Sequence, residues 1–460
     1  MATGKAGWAE AETTPPLGLP MGGRGPRFTP GASVLDPLMS FATLLEDGQD
    51  NRTLWISVDV VSMDQTATYR LRQDLAGIVN VPLEAIVINC SHTHSGPMCG
   101  YEGYSTLRPK PKELQAYESD VHRKILKMAV EAQDQLQPVD IKLYRGESDI
   151  GINRRRRQAS GDMGMGPNPG GTCNPDLWIL EAKAAAGETA IIFNYGCHPV
   201  LVYGYAWDGI SPDWPGVCRA KLKEELGEDT HAQFIQGLAG NVRPRVVADL
   251  EEGKFRKPTP DDPLSAGARL AGHIAGVLSG EGDSVDLDLK AAAGGFLGPK
   301  DQGKIPPLSH WQSLNPEGAR DPLRSGSAAS ENELSRELGA YWTDRLESGI
   351  PPALSAPIEI GIIQLSYNHK IAWMAGEVLA EWMTHVRGWL NDPDLIVWGY
   401  CQDGRGYLPT EEMLHEGGYE VDRANTYSRT GPGPFAEGLN HAVRAEFERL
   451  GRGLGWGGVE

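Results

Sequence analysis

Two histidines stand two residues apart in the run Asn89-Cys90-Ser91-His92-Thr93-His94-Ser95-Gly96-Pro97. The run follows Leu83-Glu84-Ala85-Ile86-Val87-Ile88, whose apolar, β-branched character reads as a buried strand. Residues two apart on a strand share a face. His92 and His94 are therefore expected to project together where the strand runs into a Ser-Gly-Pro turn. Imidazole nitrogen suits zinc and other late transition metals. The pair reads equally well as two hydrogen-bonded structural histidines, and a metal site needs partners from elsewhere in the chain.

Candidate partners occur at five places. Asn194-Tyr195-Gly196-Cys197-His198-Pro199 sets His198 at the end of an apolar strand, as with His92. Asp208 and Asp213 lie in a loop leading to a helix N-terminus, where carboxylates can be presented or anions bound. Gln236 to Arg245 is a Gly-rich loop carrying Asn241 and Arg243. Glu377 follows a strand and precedes a helix, so it is either a helix-terminal charge or a metal ligand. Tyr407 offers a phenol after another strand, with Tyr400 and Tyr419 as local competitors. Arg154 to Arg157 is a run of four arginines, usually a solvated surface loop. In so acidic a chain it could also receive an anionic or oxygen-rich ligand.

The elements that must position these residues alternate along the chain. Strands are expected near 54–61, 141–144, 178–181, 190–194, 233–235, 358–366, 370–374 and 395–399. Helices are expected over 68–79, 113–136, 215–226, 264–278, 333–345, 378–390 and 435–450. The mixture predicts an α/β protein with mixed β-sheets packed centrally and flanked by helices. Residues 1–460 read as a single domain, with 294–332 as a long loop or lid and 451–460 as a flexible Gly-rich tail.

The 460 residues carry a net charge of -18, which argues against general nucleic-acid binding and docking on anionic membranes. No segment has the roughly 18 consecutive apolar residues of a membrane helix, and no secretory signal is visible. Six cysteines without a CxxC pair fit reduced thiols in the cytoplasm. A small-molecule substrate is the expected partner, and a homo-oligomer stays open.

The Thr13-Thr14-Pro15-Pro16-Leu17-Gly18 opening, the SHTHSGP run, Asn153-Arg154, Asn194 to Pro199, the QGxxG loop, Ala375-Gly376-Glu377 and Gly406-Tyr407-Leu408-Pro409-Thr410 occur in the order seen in neutral ceramidases. Over about Thr13 to Pro434 the chain resembles that family. The resemblance implies a zinc-dependent amidohydrolase holding one Zn2+ through His92, His198, Glu377 and Tyr407. It also implies that His94 exchanges protons beside the metal and that Arg154 faces the substrate. The tyrosine ligand rests on the resemblance alone.

The chain departs from the family where ceramidases carry Gly-Asp-Val-Ser-Pro and this sequence reads Gly240-Asn241-Val242-Arg243-Pro244. Arginine is no nucleophile at ordinary pH, but it can hold carboxylate, phosphate or sugar oxygens. The family's C-terminal β-sandwich domain also has no room in this sequence. The expectation is hydrolysis of an amide in a small polar or anionic substrate rather than ceramide, with Arg243, Asn241 and Asp213 binding substrate. Twelve Trp against 8 Phe, with Trp207 and Trp214 flanking Asp208 and Asp213, suit a metal-dependent glycoside or ester hydrolase instead. A non-catalytic zinc-binding homologue is the third reading.

Overall fold

The computed structural model describes residues 4–23, 29–100, 109–314, 327–403, 406–426, 428 and 431–456, the side chains of 327–335 excepted. A large sheet is built from β1 (Gly4–Glu12), β2 (Met39–Asp47), β3 (Arg52–Val58), β4 (Ile86–Cys90), β5 (Gln137–Glu147), β6 (Asp176–Ala184), β7 (Thr189–Tyr195) and β8 (His231–Gln236). Their spatial order is β8-β7-β6-β5-β1-β2-β3-β4. A second sheet runs β9 (Lys290–Pro299), β10 (Ser355–Gln364), β11 (Lys370–Met374) and β12 (Ile396–Trp398), in that order. The helices that cover them are α1 (Gln65–Val79), α2 (Lys112–Asp134), α3 (Trp214–Leu226), α4 (Asp261–Leu278), α5 (Trp382–Trp389) and α6 (Leu439–Gly453).

Period-two alternation assigns the layers. In β4, Ile86 and Ile88 pack with Leu71 and Leu75 of α1 and Ile125 of α2, while Val87 points the other way. In β7, Ile191 and Phe193 face Trp214 of α3 and Leu270 of α4, while Ala190 and Ile192 turn inward. That inner face meets Ile363, Ile371, Trp373 and Trp398 of the second sheet. Ile362, Ala372 and Val397 of that sheet pack outward on Trp382 of α5 and Phe447 of α6. The result is helices, sheet, sheet, helices: the expected α/β arrangement, with two sheets sandwiched between helical layers.

The outer strands of the large sheet meet through side chains. Gln236 N donates to Asn89 Oδ1 (2.8 Å), and Asn89 Nδ2 donates to Gly399 O (2.8 Å). Asn89 thus joins the ends of β4, β8 and β12. Gln402 N donates to Ile88 O (2.8 Å), pinning the chain after β12 onto β4.

Part of the expected lid is a strand. All ten residues of Lys290–Pro299 pair with Ser355–Gln364, and Leu308–Leu314 is helical; residues 315–326 lie outside the described ones. The Ala-Ala-Ala-Gly-Gly run of β9 has little β-propensity, and tertiary pairing overrides it. The C-terminal tail is anchored at least to Trp456, which is buried and donates from Nε1 to Gln364 Oε1 (3.1 Å); 457–460 lie outside the described residues. Helix α5 begins at Trp382 rather than 378, because Glu377–Val378 pairs with Tyr407–Leu408. No described helix is long and apolar enough to cross a membrane.

Candidate metal centre

β4, β7, β11 and β12 each deliver a polar residue just past their last strand position, at one end of the two sheets. β4 stops at Cys90, so strand alternation does not set the histidines. His92 instead adopts φ 66°, a left-handed conformation uncommon outside glycine and a form of strain that concentrates at functional sites. Its backbone N donates to Val60 O (3.0 Å), and Nδ1 lies 2.6 Å from Val61 O. A carbonyl only accepts, so Nδ1 carries the hydrogen and Nε2 faces the site. His198 repeats the device, with Nδ1 2.6 Å from Ala239 O. Gln236 ties the two turns together, donating from Nε2 to Ser91 O (3.0 Å) and Cys197 O (2.9 Å).

Glu377 enters after a Gly376 turn at φ 95°. Its Oε2 lies 3.2 Å from His92 Nε2 and 3.4 Å from His198 Nε2, yet it is buried with no hydrogen-bond partner. Burial, with the Arg154 charge behind it, pushes His198 down to about 3, so its Nε2 presents a lone pair at neutral pH. A carboxylate and a neutral imidazole cannot bond each other without a hydrogen between them. Two imidazole Nε2 atoms and a carboxylate oxygen this close make an arrangement that a cation would fit. Carbonyl-anchored Nδ1 atoms are the usual outer support of metal-binding histidines, and N/O donors suit zinc.

His94 Nε2 comes within 3.2 Å of His92 Nε2, so the two rings do converge, through a turn. His92, His94 and His198 form a group of potential ligand atoms all within 4.8 Å of one another. His94 is the most exposed of the three. Gly23 packs on it at φ 69°: a Cβ there would lie 2.7 Å from Val61 Cγ2 and 3.0 Å from His94 Nδ1. Tyr203 lies 5.6 Å from His94, ring to ring, and Trp207 lies 6.0 Å from Tyr203 with its ring tilted by 56°.

The arginine run is a strand, not a solvated loop. Gly151–Arg157 carries an irregularity between Asn153 and Arg155. Such a bulge re-aims side chains, and here the adjacent Arg154 and Arg155 both reach Glu420. Arg154 Nε donates to Glu420 Oε1 (2.8 Å) and Arg155 Nη1 to Oε2 (3.1 Å). Glu420 rides on a π-helical turn, Tyr419–Arg423, a feature frequent at functional sites. Arg154 Nη2 donates to Tyr407 Oη (3.0 Å), and its Nη1 lies 3.5 Å from His198 Nε2. Tyr407 therefore stands beside Glu377, its strand partner, with its phenol raised well above its usual range by burial despite Arg154. Tyr400 is also buried at the site, 4.4 Å from His92 ring to ring, with its hydroxyl unpartnered.

Two residues expected to bind substrate are occupied elsewhere. Asp213 Oδ2 accepts from Leu201 N and Val202 N (both 2.7 Å) and Oδ1 from Trp214 N (2.7 Å). It anchors the segment after His198 to the start of α3. Trp214 is core, whereas Trp207 is exposed. Asn241 is fully buried; its Nδ2 donates to both Glu381 oxygens (3.0 and 2.8 Å) and its Oδ1 accepts from Ala380 N (2.9 Å). Arg243 alone of the three keeps donors available beside the site.

Burial pushes the Glu381 carboxyl up to about 7 from 4.5. A carboxyl raised by folding binds more protons folded than unfolded, so stability falls as pH rises from about 4.5 through about 7. Glu381→Gln is expected to remove that part of the decline in melting temperature, measured in parallel with wild type across this window. An unchanged slope would contradict the raised carboxyl.

Gln236, Asn89 and Glu420 are the structural partners that residue spacing did not disclose. The QGxxG loop reads as a simple turn, and nothing local marks Glu420.

No family model matches the sequence, and no curated protein matches it. Solved structures do match in fold. Neutral ceramidase from Pseudomonas aeruginosa superposes with a TM-score of 0.70 at 16% identity, over 97% of this chain and 74% of that one. A ceramidase complexed with C2 gives 0.68 at 16% identity with the same coverage. The chain, with its two sheets between helical layers, has the neutral-ceramidase fold.

Proposed function

We propose that this protein is a zinc-dependent hydrolase that cleaves an amide bond in a small polar or anionic molecule rather than in ceramide. The observation that carries the reading is Glu377 Oε2, buried, unpartnered and within 3.4 Å of two histidine Nε2 atoms. His92, His198 and Glu377 would hold one ion, with Tyr407 as the fourth protein ligand. A zinc ion there would polarise the scissile carbonyl and acidify a water molecule.

The remaining chemistry belongs to the chain's own side chains. His94, half-exposed at the rim, takes a proton from the attacking water and returns it to the leaving nitrogen. Arg154, locked by Glu420 and Tyr407, keeps Nη1 toward the site, where a fixed cation stabilises developing oxyanion charge. Six free cysteines suit a reducing compartment, and we assign the protein to the cytoplasm on that basis. Its partner is the substrate, with no role for nucleic acid or membrane.

A metal-dependent glycoside or ester hydrolase is the second reading, favoured by one observation: the Tyr203–Trp207 pair leads from His94 to an exposed indole able to stack on a sugar. A non-catalytic zinc protein is the third, and nothing in the geometry favours it over the first.

His94→Ala separates these readings. Hydrolysis across a panel of amides, esters and glycosides is expected to fall roughly 10²- to 10⁴-fold, with bound zinc unchanged by elemental analysis. Unchanged turnover would remove His94 from the chemistry, and no turnover by wild type on any panel member would leave the non-catalytic reading.

A further inference from the structure

Arg243 is the anomaly of this acidic chain. The four fully buried arginines among the described residues each have a carboxylate: Arg72 with Glu359, Arg154 and Arg155 with Glu420, and Arg219 with Asp59. Arg243 has none within 4 Å among the described residues. Its Nε is buried without a partner, its Nη1 meets only the Met165 sulfur (3.6 Å), and the guanidinium lies 4.7 Å over the Phe255 ring. A buried polar group left unpaired costs free energy, and acids are abundant here, 61 against 43 basic residues. Among the described residues nothing supplies that partner, and an anion arriving from solution would.

The backbone sets where it arrives. Val242, the preceding residue, accepts His198 N through its carbonyl (3.1 Å), and Arg243 pairs with Ile152 on the strand that carries Arg154. Arg243 and Arg154 thus rise from neighbouring strands, and the turn carrying His198 is bonded to the first of them. Arg243 lies near enough to Arg154, Tyr203 and Tyr407 to feel their electrostatics, so an anion on it lies close to the residues around His198. Phe255 covers one face of the guanidinium, and a planar fork with one face covered suits an in-plane, bidentate carboxylate.

We infer that the substrate carries a free carboxylate close to its scissile amide, as in an N-acyl amino acid, and that Arg243 is the residue that selects it. This rests on the amide-hydrolase reading above, so its test has one arm that needs turnover and one that does not. In the first, zinc-loaded protein is offered N-acetyl amino acids, each beside its methyl ester. Wild type is expected to prefer the acids by roughly 10- to 100-fold in kcat/KM, the range of a charged hydrogen bond. Arg243→Met should erase the preference at unchanged zinc content, and Arg243→Lys, lacking the fork, should restore part of it.

In the second arm, zinc-free protein is titrated with the same acids and esters by calorimetry. Wild type is expected to bind the acids and not the esters, and Arg243→Met to bind neither. Equal treatment of acid and ester by wild type, or a preference that survives Arg243→Met, overturns the inference. Inorganic phosphate displacing the acids at lower concentration than they themselves bind would overturn the carboxylate assignment. Acid binding without amide turnover would keep Arg243 as the carboxylate receptor while the amide-hydrolase reading fails.

Discussion

Glu377→Gln is expected to abolish stoichiometric zinc binding while leaving the metal-free protein close to its wild-type melting temperature. The two expectations come from one geometry. Glutamine keeps the shape of the side chain, and removing the charge spares the fold a buried carboxylate whose Oε2 has no hydrogen-bond partner. Zinc binding loses its only anionic ligand among the proposed donors whose charge is settled in the metal-free protein, because burial keeps the Tyr407 phenol protonated. Changes in the outer shell of a metal site cost roughly 10- to 100-fold in affinity, and loss of a charged ligand should exceed that. An ion at about 1,000 times its dissociation constant stabilises the folded state by about 4 kcal/mol. Calorimetric melting with and without zinc is therefore expected to show a large upward shift for wild type and almost none for the variant. A variant that still gains the full shift would place Glu377 outside the metal site.

Glu420→Ala should cause the largest loss of stability among single changes at the site. Glu420 is 3% exposed and accepts from both Arg154 and Arg155. Removing one member of a buried ion pair costs about 3–5 kcal/mol, because the other charge is left desolvated. Arg155 keeps Glu416 (2.9 Å), but Arg154 loses its only carboxylate among the described residues. Glu416 is 38% exposed, so Glu416→Ala is the control and should cost about 0–1 kcal/mol. Acid sensitivity should change too. Burial opposes ionisation of Glu420, but Arg154 and Arg155 outweigh it and hold its carboxyl below 4.5. A depressed carboxyl contributes stability above its ordinary value that is lost as pH falls through the depressed one. Thermal melts of Glu420→Ala are expected to lie below wild type at neutral pH and to converge with it toward acid. Equal losses for the 416 and 420 variants would mean that the arginines are not held as a buried pair.

Local chemistry carries part of what can be read of this site in the sequence. His92 and His198 each follow an apolar strand that reads correctly, and Glu377 follows the strand Lys370–Met374, whereas the short pairing of Glu377–Val378 with Tyr407–Leu408 leaves no signal. The resemblance to neutral ceramidases, not local chemistry, gathers these four, and Tyr407 rests on it alone. Strand alternation, however, does not place His94; a left-handed residue at His92 does, and no residue type announces that. Glu420 was invisible because it lies 266 residues from Arg154, and a buried ion pair leaves no local trace. Asp213 and Asn241 were assigned to substrate on position, yet both spend their hydrogen bonds on backbone and on Glu381. Two strands were missed for a shared reason. Gly4–Glu12 alternates Ala with Glu, and Lys290–Pro299 is Ala- and Gly-rich; neither has β-propensity, and each is held by a neighbour along its full length.

The central claim is that His92, His198 and Glu377 hold the ion and His94 does not. It is tested most directly by titrating zinc against a competing chelator in wild type, His94→Ala and His198→Ala. Wild type should bind one ion per chain, His94→Ala should bind one ion within about tenfold of that affinity, comparable to an outer-shell change, and His198→Ala should bind none under the same conditions. A wild type that binds no zinc, or a His94→Ala variant that loses it as completely as His198→Ala, would contradict the claim.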